Sequence, residues 1–133
     1  MTAMSKEDLE REIARARTSV VRAVFPNSTN HYDTLFGGNT LKWMDEVAFI
    51  TATRFGRKKF VTVSSDRVDF NMPIPGGHFA ELIGEVTKVG RSSVVIDVSL
   101  MLEGMYEEGQ VLAVKGSFTL VAIDDERKPI AIF

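Results

Sequence analysis

Residues 29–48 read TNHYDTLFGGNTLKWMDEVA, which is the most informative stretch of the 133-residue chain. A loop rich in Asn, Asp and Thr leads to Gly37 and Gly38, and a helix follows that carries Asp45 on an otherwise apolar face. The start of a helix offers backbone N–H groups at the positive end of its dipole. Asp45, about two turns further along, adds a candidate base. A site that stabilises an oxyanion and activates a water needs both parts.

The composition predicts one ordinary domain, residues 1–133, that is long enough to bury a core: 44% of residues are hydrophobic and 26% are charged. A net charge of −2 argues against a general nucleic-acid binder. The chain has no cysteine, which excludes disulfides, thiolate nucleophiles and cysteine metal sites. His31 and His78 are far apart and have no acid at ligand spacing, so no metal site is predicted.

The sequence predicts a cytoplasmic protein with neither a membrane nor a nucleic acid as partner. No run approaches the ~18 apolar residues that a membrane helix needs. The first residues, MTAMSKEDLEREIARARTS, are highly charged and lack the apolar centre of a signal peptide.

The pattern along the chain predicts an α+β fold. Residues 1–18 form an N-terminal extension with a short polar helix from Ser5 to about Arg17, capped by Ser5. Residues 38–55 predict a helix that is apolar almost all round, which is typical of a buried helix. Runs rich in Val, Ile, Phe and Thr predict strands over residues 20–25, 60–70, 79–89, 92–102 and 111–123. Strands in such succession favour an antiparallel meander.

So apolar a helix is hard to cover with a single sheet in a domain of this size. The sheet also leaves its edge strands open. Both features predict a dimer at least, with joined sheets or facing helices.

Two acids lie side by side on the long helix in different surroundings. On a helical wheel the neighbours of Asp45 are mostly apolar, whereas Glu46 lies on a wetter face where Lys42 can pair with it. Burying an unpaired carboxylate costs several kcal/mol, so Asp45 either makes a structural salt bridge or cap, or serves a function. The preceding Gly-Gly pair, which exposes bare N–H groups, favours function.

The chain resembles the hotdog-fold acyl-CoA thioesterases, specifically the YciA-like and cytosolic acyl-CoA hydrolase branch. The likeness is carried by NHYDTLFGGNTLKWMDEVA, FVTVSSDRVDFNMPI, GEVTKVGRSSVVIDVSL and FTLVAIDDERKPI, in that order, and spans residues 20–130. It implies a long central helix wrapped by a curved antiparallel sheet of about five strands. It also implies a homodimer that assembles further into a hexamer, a trimer of dimers.

The same resemblance implies hydrolysis of acyl-CoA to a free acid and CoA, without a metal or a cofactor beyond the CoA of the substrate. It implies Asp45 as general base or nucleophile, the backbone of Gly37 and Gly38 as oxyanion donors, and Asn30 as a polar contribution from the facing subunit. Related sequences often carry Gly where this chain has Asp33, and a second acid there either repels CoA phosphate or orients a water.

Two polar clusters are candidates for the CoA nucleotide. By family likeness the turn formed by Arg91, Ser92 and Ser93 touches this end of CoA. Arg54, Arg57, Lys58 and Lys59 cluster after the long helix and offer charge for the 3′-phosphate or pyrophosphate. A plain polar hairpin and a solvated charge run are the alternatives.

Other readings of the same residues are weaker. His31 is a possible acid or base, although loop histidines are more often structural. Ser64, Ser65 and Asp66 do not form a nucleophile elbow. The alternative function is a non-catalytic acyl-CoA-binding or regulatory hotdog protein. A third option is a hotdog dehydratase, which normally has a His beside its acid; His31 is the only candidate, and it lies in a loop of the thioesterase type.

Overall fold

The structure, a computed structural model, describes residues 4–25, 29–30, 32 and 34–133. His31 and Asp33 therefore lie outside the described residues. The chain forms two helices and five strands: α1 Lys6–Ala16, β1 Thr18–Val24, α2 Gly37–Gly56, β2 Lys59–Phe70, β3 His78–Val89, β4 Ser93–Gly104 and β5 Val111–Ile123. Each predicted element is present, and its ends lie within a residue or two of the predicted ones. The α+β prediction is confirmed.

The five strands form one antiparallel sheet in the order β1-β3-β4-β5-β2. Strands β3, β4 and β5 make the predicted meander. The prediction is wrong for β2, which lies at the far edge beside β5. Its link to β3 passes the start of α2, where Leu35 N–H donates to the carbonyl of Ile74 at 2.8 Å. β2 and β3 are therefore consecutive along the chain but are not neighbours in the sheet.

One face of α2 packs on the sheet, where two glycines let the backbones approach. A Cβ built on Gly84 of β3 would lie 2.3 Å from Thr51 Oγ1 and 3.0 Å from Val47 Cγ1. A Cβ built on Gly116 of β5 would lie 3.4 Å from Met44 Cε of α2 and 2.9 Å from Val68 Cγ2 of strand β2. The packed helix face consists of buried residues: Thr40, Met44, Val47, Ala48, Thr51, Ala52 and Phe55.

The opposite face of α2 is not covered in the single chain. Leu41 is 39% exposed and Phe49 49%, and Val63 of the neighbouring edge strand β2 is 56% exposed. We call these three residues, with Ile50 and Val61, the exposed strip. Such an apolar surface beside an open strand edge is what a second chain would cover. The sequence predicted that a single sheet would not cover this helix, and in the single chain this face of α2 is exposed.

Helix α1 docks against the last turn of α2 through two arginines. Ser5 Oγ accepts a hydrogen bond from Asp8 N–H at 3.1 Å, so the predicted N-cap is confirmed. Arg54 donates to the carbonyls of Arg15 and Arg17, each at 3.1 Å, and Arg15 donates to the carbonyl of Arg54 at 3.3 Å. Arg54 is thus engaged in holding α1, which corrects its assignment to a phosphate. No helix in the described ranges is long and apolar enough to span a membrane.

Candidate active site

The start of α2 leaves its first N–H groups without a side-chain cap. Phe36 occupies the N-cap position and makes no capping bond, and the first turn carries no acid. Neither Gly37 nor Gly38 has the left-handed backbone that favours glycine. A Cβ on Gly38 would meet nothing within 4 Å, and one on Gly37 would meet only Phe70 Cζ, at 3.9 Å. The fold therefore does not require glycine here, and the free space beside the N–H groups is open to a ligand or a second chain.

Asp45 faces the same cavity as Gly38. The cavity measures about 580 Å³ and lies between α2 and β2. Its polar lining includes Lys42, Asp45, Thr62, Ser64 and Ser65. Asp45 is exposed in the single chain, as are Leu41 and Phe49 beside it. The apolar surroundings predicted for this carboxylate would require a covering partner.

Thr62 is the site residue that the sequence analysis missed. Its hydroxyl donates to Asp45 Oδ1 at 2.7 Å. The register between β2 and β5 shifts between Thr62 and Ser64, so a bulge adjoins this hydrogen bond. Bulges re-aim side chains and are common beside active sites. Strand propensity alone accounts for a threonine at this position, and nothing in the sequence indicates the bulge. The contact with Asp45 could therefore not be predicted.

Glu46 has a different partner from the one predicted. Arg22 of β1 donates to Glu46 Oε2 at 2.7 Å, and the Arg22 guanidinium lies 5.1 Å from the centre of the Trp43 ring. The predicted pair with Lys42 is wrong. Among the described residues no ion pair involves Asp45. The two neighbouring acids therefore differ in environment, but not as predicted: Glu46, which was expected on a wetter face, is half-buried and binds Arg22, whereas Asp45 is exposed and faces the cavity.

Asn30 shapes the loop that precedes α2. Its side-chain Oδ1 accepts bonds from Tyr32 N–H at 2.9 Å and from the Thr34 N–H and hydroxyl at 3.2 and 3.0 Å. These bonds do not use its amide nitrogen. Within the described part of the chain no hydrogen bond joins Asn30 to Asp45. Its predicted contribution from a facing subunit stays a prediction.

The candidates for the CoA nucleotide lie at one end of the sheet. Lys59 pairs with Asp125, and this ion pair raises the pKa of Lys59 and lowers that of Asp125. A cavity of about 530 Å³ adjoins the pair and is lined in part by Arg57 and Lys58. These residues surround the strand end where Lys59 is paired with Ile123.

The Arg91–Ser93 turn borders the same end of β5. The carbonyl of Ser92 accepts a bond from Ala122 N–H at 2.8 Å, and that of Arg91 accepts one from Ile132 N–H at 2.9 Å. The turn is therefore fixed through its backbone, and of its side chains Arg91 is exposed while Ser92 and Ser93 are half-buried. The described residues include no cluster of metal ligands.

Comparisons with known proteins point to one family. Residues 32–108 match the family described as the Thioesterase superfamily. A Zymomonas mobilis protein named as an acyl-CoA thioester hydrolase is 32% identical over 130 residues, which cover 97% of this chain and 87% of that protein. One from Bacillus subtilis is 38% identical over 82% of this chain, which spans only 63% of that relative.

Solved structures agree with these relatives. The acyl-CoA hydrolase of Staphylococcus aureus in complex with butyryl coenzyme A has a TM-score of 0.85 at 35% identity, over 90% of this chain and 73% of that one. A hexameric acyl-CoA thioesterase has a TM-score of 0.86 at 36% identity, over 90% of this chain and 76% of that one.

The Staphylococcus aureus enzyme has also been studied as three alanine variants, which replace one asparagine, one aspartate and one threonine. The sequence separations among those three positions equal the separations among Asn30, Asp45 and Thr62 in this chain.

Proposed function

The chain belongs to the Thioesterase superfamily, as its resemblance predicted, and on that basis we propose that it hydrolyses acyl-CoA to a free carboxylic acid and CoA. One observation carries the proposal: Gly38 and Asp45 face one cavity, and Thr62 donates to the Asp45 carboxylate at 2.7 Å. The cavity thus brings together oxyanion donors and an oriented base, which are the two parts that thioester hydrolysis needs.

The reaction begins with the thioester carbonyl oxygen at the N–H groups of Gly37 and Gly38. Asp45 removes a proton from a water, whose oxygen adds to the carbonyl carbon. The helix N-terminus stabilises the oxyanion of the tetrahedral intermediate. Its collapse expels the CoA thiolate, which takes up the proton held by Asp45.

A second route uses the same residues. Asp45 attacks the carbonyl carbon directly, the CoA thiolate leaves, and water hydrolyses the resulting mixed anhydride. In both routes Thr62 holds the carboxylate in one orientation. Asn30 of a facing subunit would position the water or the carbonyl, in keeping with the asparagine studied in the Staphylococcus aureus enzyme.

The nucleotide of CoA is assigned to the basic end of the sheet, at Arg91, Ser92, Ser93, Lys58 and Lys59. The proximity of the Arg91–Ser93 turn to the end of β5, where Lys59 is paired, supports this assignment. Lys59 would exchange Asp125 for a phosphate oxygen on binding. The chemistry requires no cofactor besides the CoA that the substrate itself brings.

The working unit is proposed to be a homodimer within a hexamer, a trimer of dimers, in the cytoplasm. The exposed strip supports the dimer, because it leaves the surroundings of Asp45 open in one chain. The hexameric acyl-CoA thioesterase with the same fold supports the larger assembly.

The test is release of free thiol from acyl-CoAs of increasing chain length. We expect turnover by the wild type and a loss of nearly all of it in Asp45→Asn. The matched control is Glu108→Gln, a carboxylate in the connection between β4 and β5 that lines a separate cavity. Asp45→Asn with ordinary turnover would refute the assigned base. Calorimetric CoA binding without thiol release by the wild type would favour the non-catalytic acyl-CoA-binding protein.

A further inference from the structure

A second cavity also adjoins the helix start, on a neighbouring face of α2. It measures about 310 Å³ and is formed between the first turn of α2 and the segment that follows β2. Gly37 lines this cavity, whereas the adjacent Gly38 lines the cavity of Asp45. A carbonyl bound at these two N–H groups would therefore border both cavities.

The two cavities differ in chemistry. The described lining of the Gly37 cavity carries no charged side chain, and its floor includes the buried residues Leu35 and Ile74. Thr40, which is also buried there, donates its hydroxyl to the carbonyl of Phe36 at 3.4 Å. The Asp45 cavity also has apolar side chains in its lining, but in contrast it contains two charged groups, Lys42 and the site carboxylate itself. An apolar chain is therefore favoured on the Gly37 side and a polar one on the other.

The Gly37 cavity is built into the fold. Its two walls are joined by the bond from Leu35 N–H to the carbonyl of Ile74 at 2.8 Å and by a bridge between Thr34 and Pro75. Phe70, the last residue of β2, and Met72, two residues further on, line the cavity and are exposed, so they form its rim. A fixed floor with a flexible methionine at the rim suits an apolar group that enters from one side.

We propose that this cavity holds the acyl chain of the substrate and that Met72 limits its length; the inference rests on the proposed thioesterase function. A volume of about 310 Å³ equals roughly ten groups the size of a water molecule, at ~30 Å³ each. The cavity thus accommodates short to medium acyl chains. The pantetheine arm leaves through the polar cavity of Asp45.

The test compares kcat/KM for acetyl-, butyryl-, octanoyl-, dodecanoyl- and palmitoyl-CoA. In the wild type we expect kcat/KM to rise about fourfold per added methylene, the factor for burying one CH₂, and to level off near octanoyl-CoA. Met72→Trp should lower the octanoyl-to-acetyl ratio of kcat/KM at least tenfold. Met72→Ala should raise the dodecanoyl-to-octanoyl ratio. A ratio of two kcat/KM values measured on the same preparation does not depend on the fraction of enzyme that is active.

The matched control is Val21→Trp, an equally bulky change at an exposed position of β1, the opposite edge strand of the sheet. It should leave the chain-length ratios unchanged. If the wild type hydrolyses acyl-CoAs and Asp45→Asn does not, but neither Met72 variant changes the ratios, the acyl-chain assignment is wrong and the proposed function stands. If the wild type hydrolyses no acyl-CoA, both are overturned.

Discussion

At the scale of the residue, the environment of a side chain separates function from structure. Asp45 and Glu46 are neighbours on α2, yet Glu46 binds Arg22 while Asp45 receives a hydroxyl from Thr62. The sequence identified Asp45 and the Gly-Gly pair because helical spacing and helix-start chemistry are local. Thr62 could not be found in this way, since its contact depends on a bulge and on a strand that arrives from elsewhere in the fold.

The hydrogen bond from Thr62 is expected to matter for turnover. Thr62→Val keeps the size and strand propensity but removes the donor, and a hydrogen bond to a charged group is worth ~1.5–3 kcal/mol. We expect kcat to fall by about ten- to a hundredfold, with thermal unfolding little changed. Thr62→Ser should recover most of the rate. Steady-state thiol release measures both variants, and full activity in Thr62→Val would exclude a positioning role.

The space beside Gly38 is expected to be reserved for substrate. Gly38→Ala puts a methyl group where no described atom lies within 4 Å, so folding stability should stay the same or rise by up to about 1 kcal/mol. Turnover should fall by about tenfold or more, because displacing a reacting group by about 1 Å can cost a hundredfold. Denaturant titration and thiol release together separate these effects. If Gly38→Ala is fully active, the thioester carbonyl does not bind beside Gly38.

At the scale of the element, periodicity predicted what each segment becomes but not where it goes. The apolar pattern of α2 and the β-branched runs were sufficient for helix and strand. The position of β2 beside β5 was missed, because strand pairing is decided by packing between distant segments. The role of the glycines in the sheet could not be predicted from the local sequence either. They mark where α2 approaches the strands, which only the assembled layers reveal.

Gly84 tests that approach. Gly84→Ala would bring a methyl group within 2.3 Å of Thr51 Oγ1, and overpacking of this kind typically costs ~1–3 kcal/mol. We expect a lower midpoint in urea titration, with the slope unchanged. Gly38→Ala serves as the comparison, since its methyl group meets no atom. Equal stability of Gly84→Ala and the wild type would mean that α2 can shift away from the sheet.

At the scale of the whole molecule, the candidate site is open in a single chain. The exposed strip borders the Asp45 cavity, and Asn30 makes no described bond to Asp45 within its own chain. A facing subunit would cover the exposed strip and supply its own Asn30 to the site. The sequence predicted this need from the apolar helix and the open edge, but the geometry of the partner lies beyond any local pattern.

Assembly and activity should therefore be lost together. Val63→Lys places a charge in the exposed strip, where burial against a second chain would leave it unpaired. We expect a smaller mass by light scattering after gel filtration, and turnover reduced in proportion to the lost assembly. Val21→Lys, on the opposite edge strand, should keep both. A fully assembled Val63→Lys protein would show that this strip is not the interface.

The strand order also sets a sequence of events during folding. Pairings within β3, β4 and β5 join neighbours along the chain, whereas α2 and β2 lie between β1 and its partner β3, and β3 and β4 lie between β2 and its partner β5. Closing long loops costs entropy before contacts repay it, so such pairings form late. The meander is therefore expected to nucleate, and β2, with Thr62, to join among the last. The chain acquires its candidate catalytic geometry only when folding is complete.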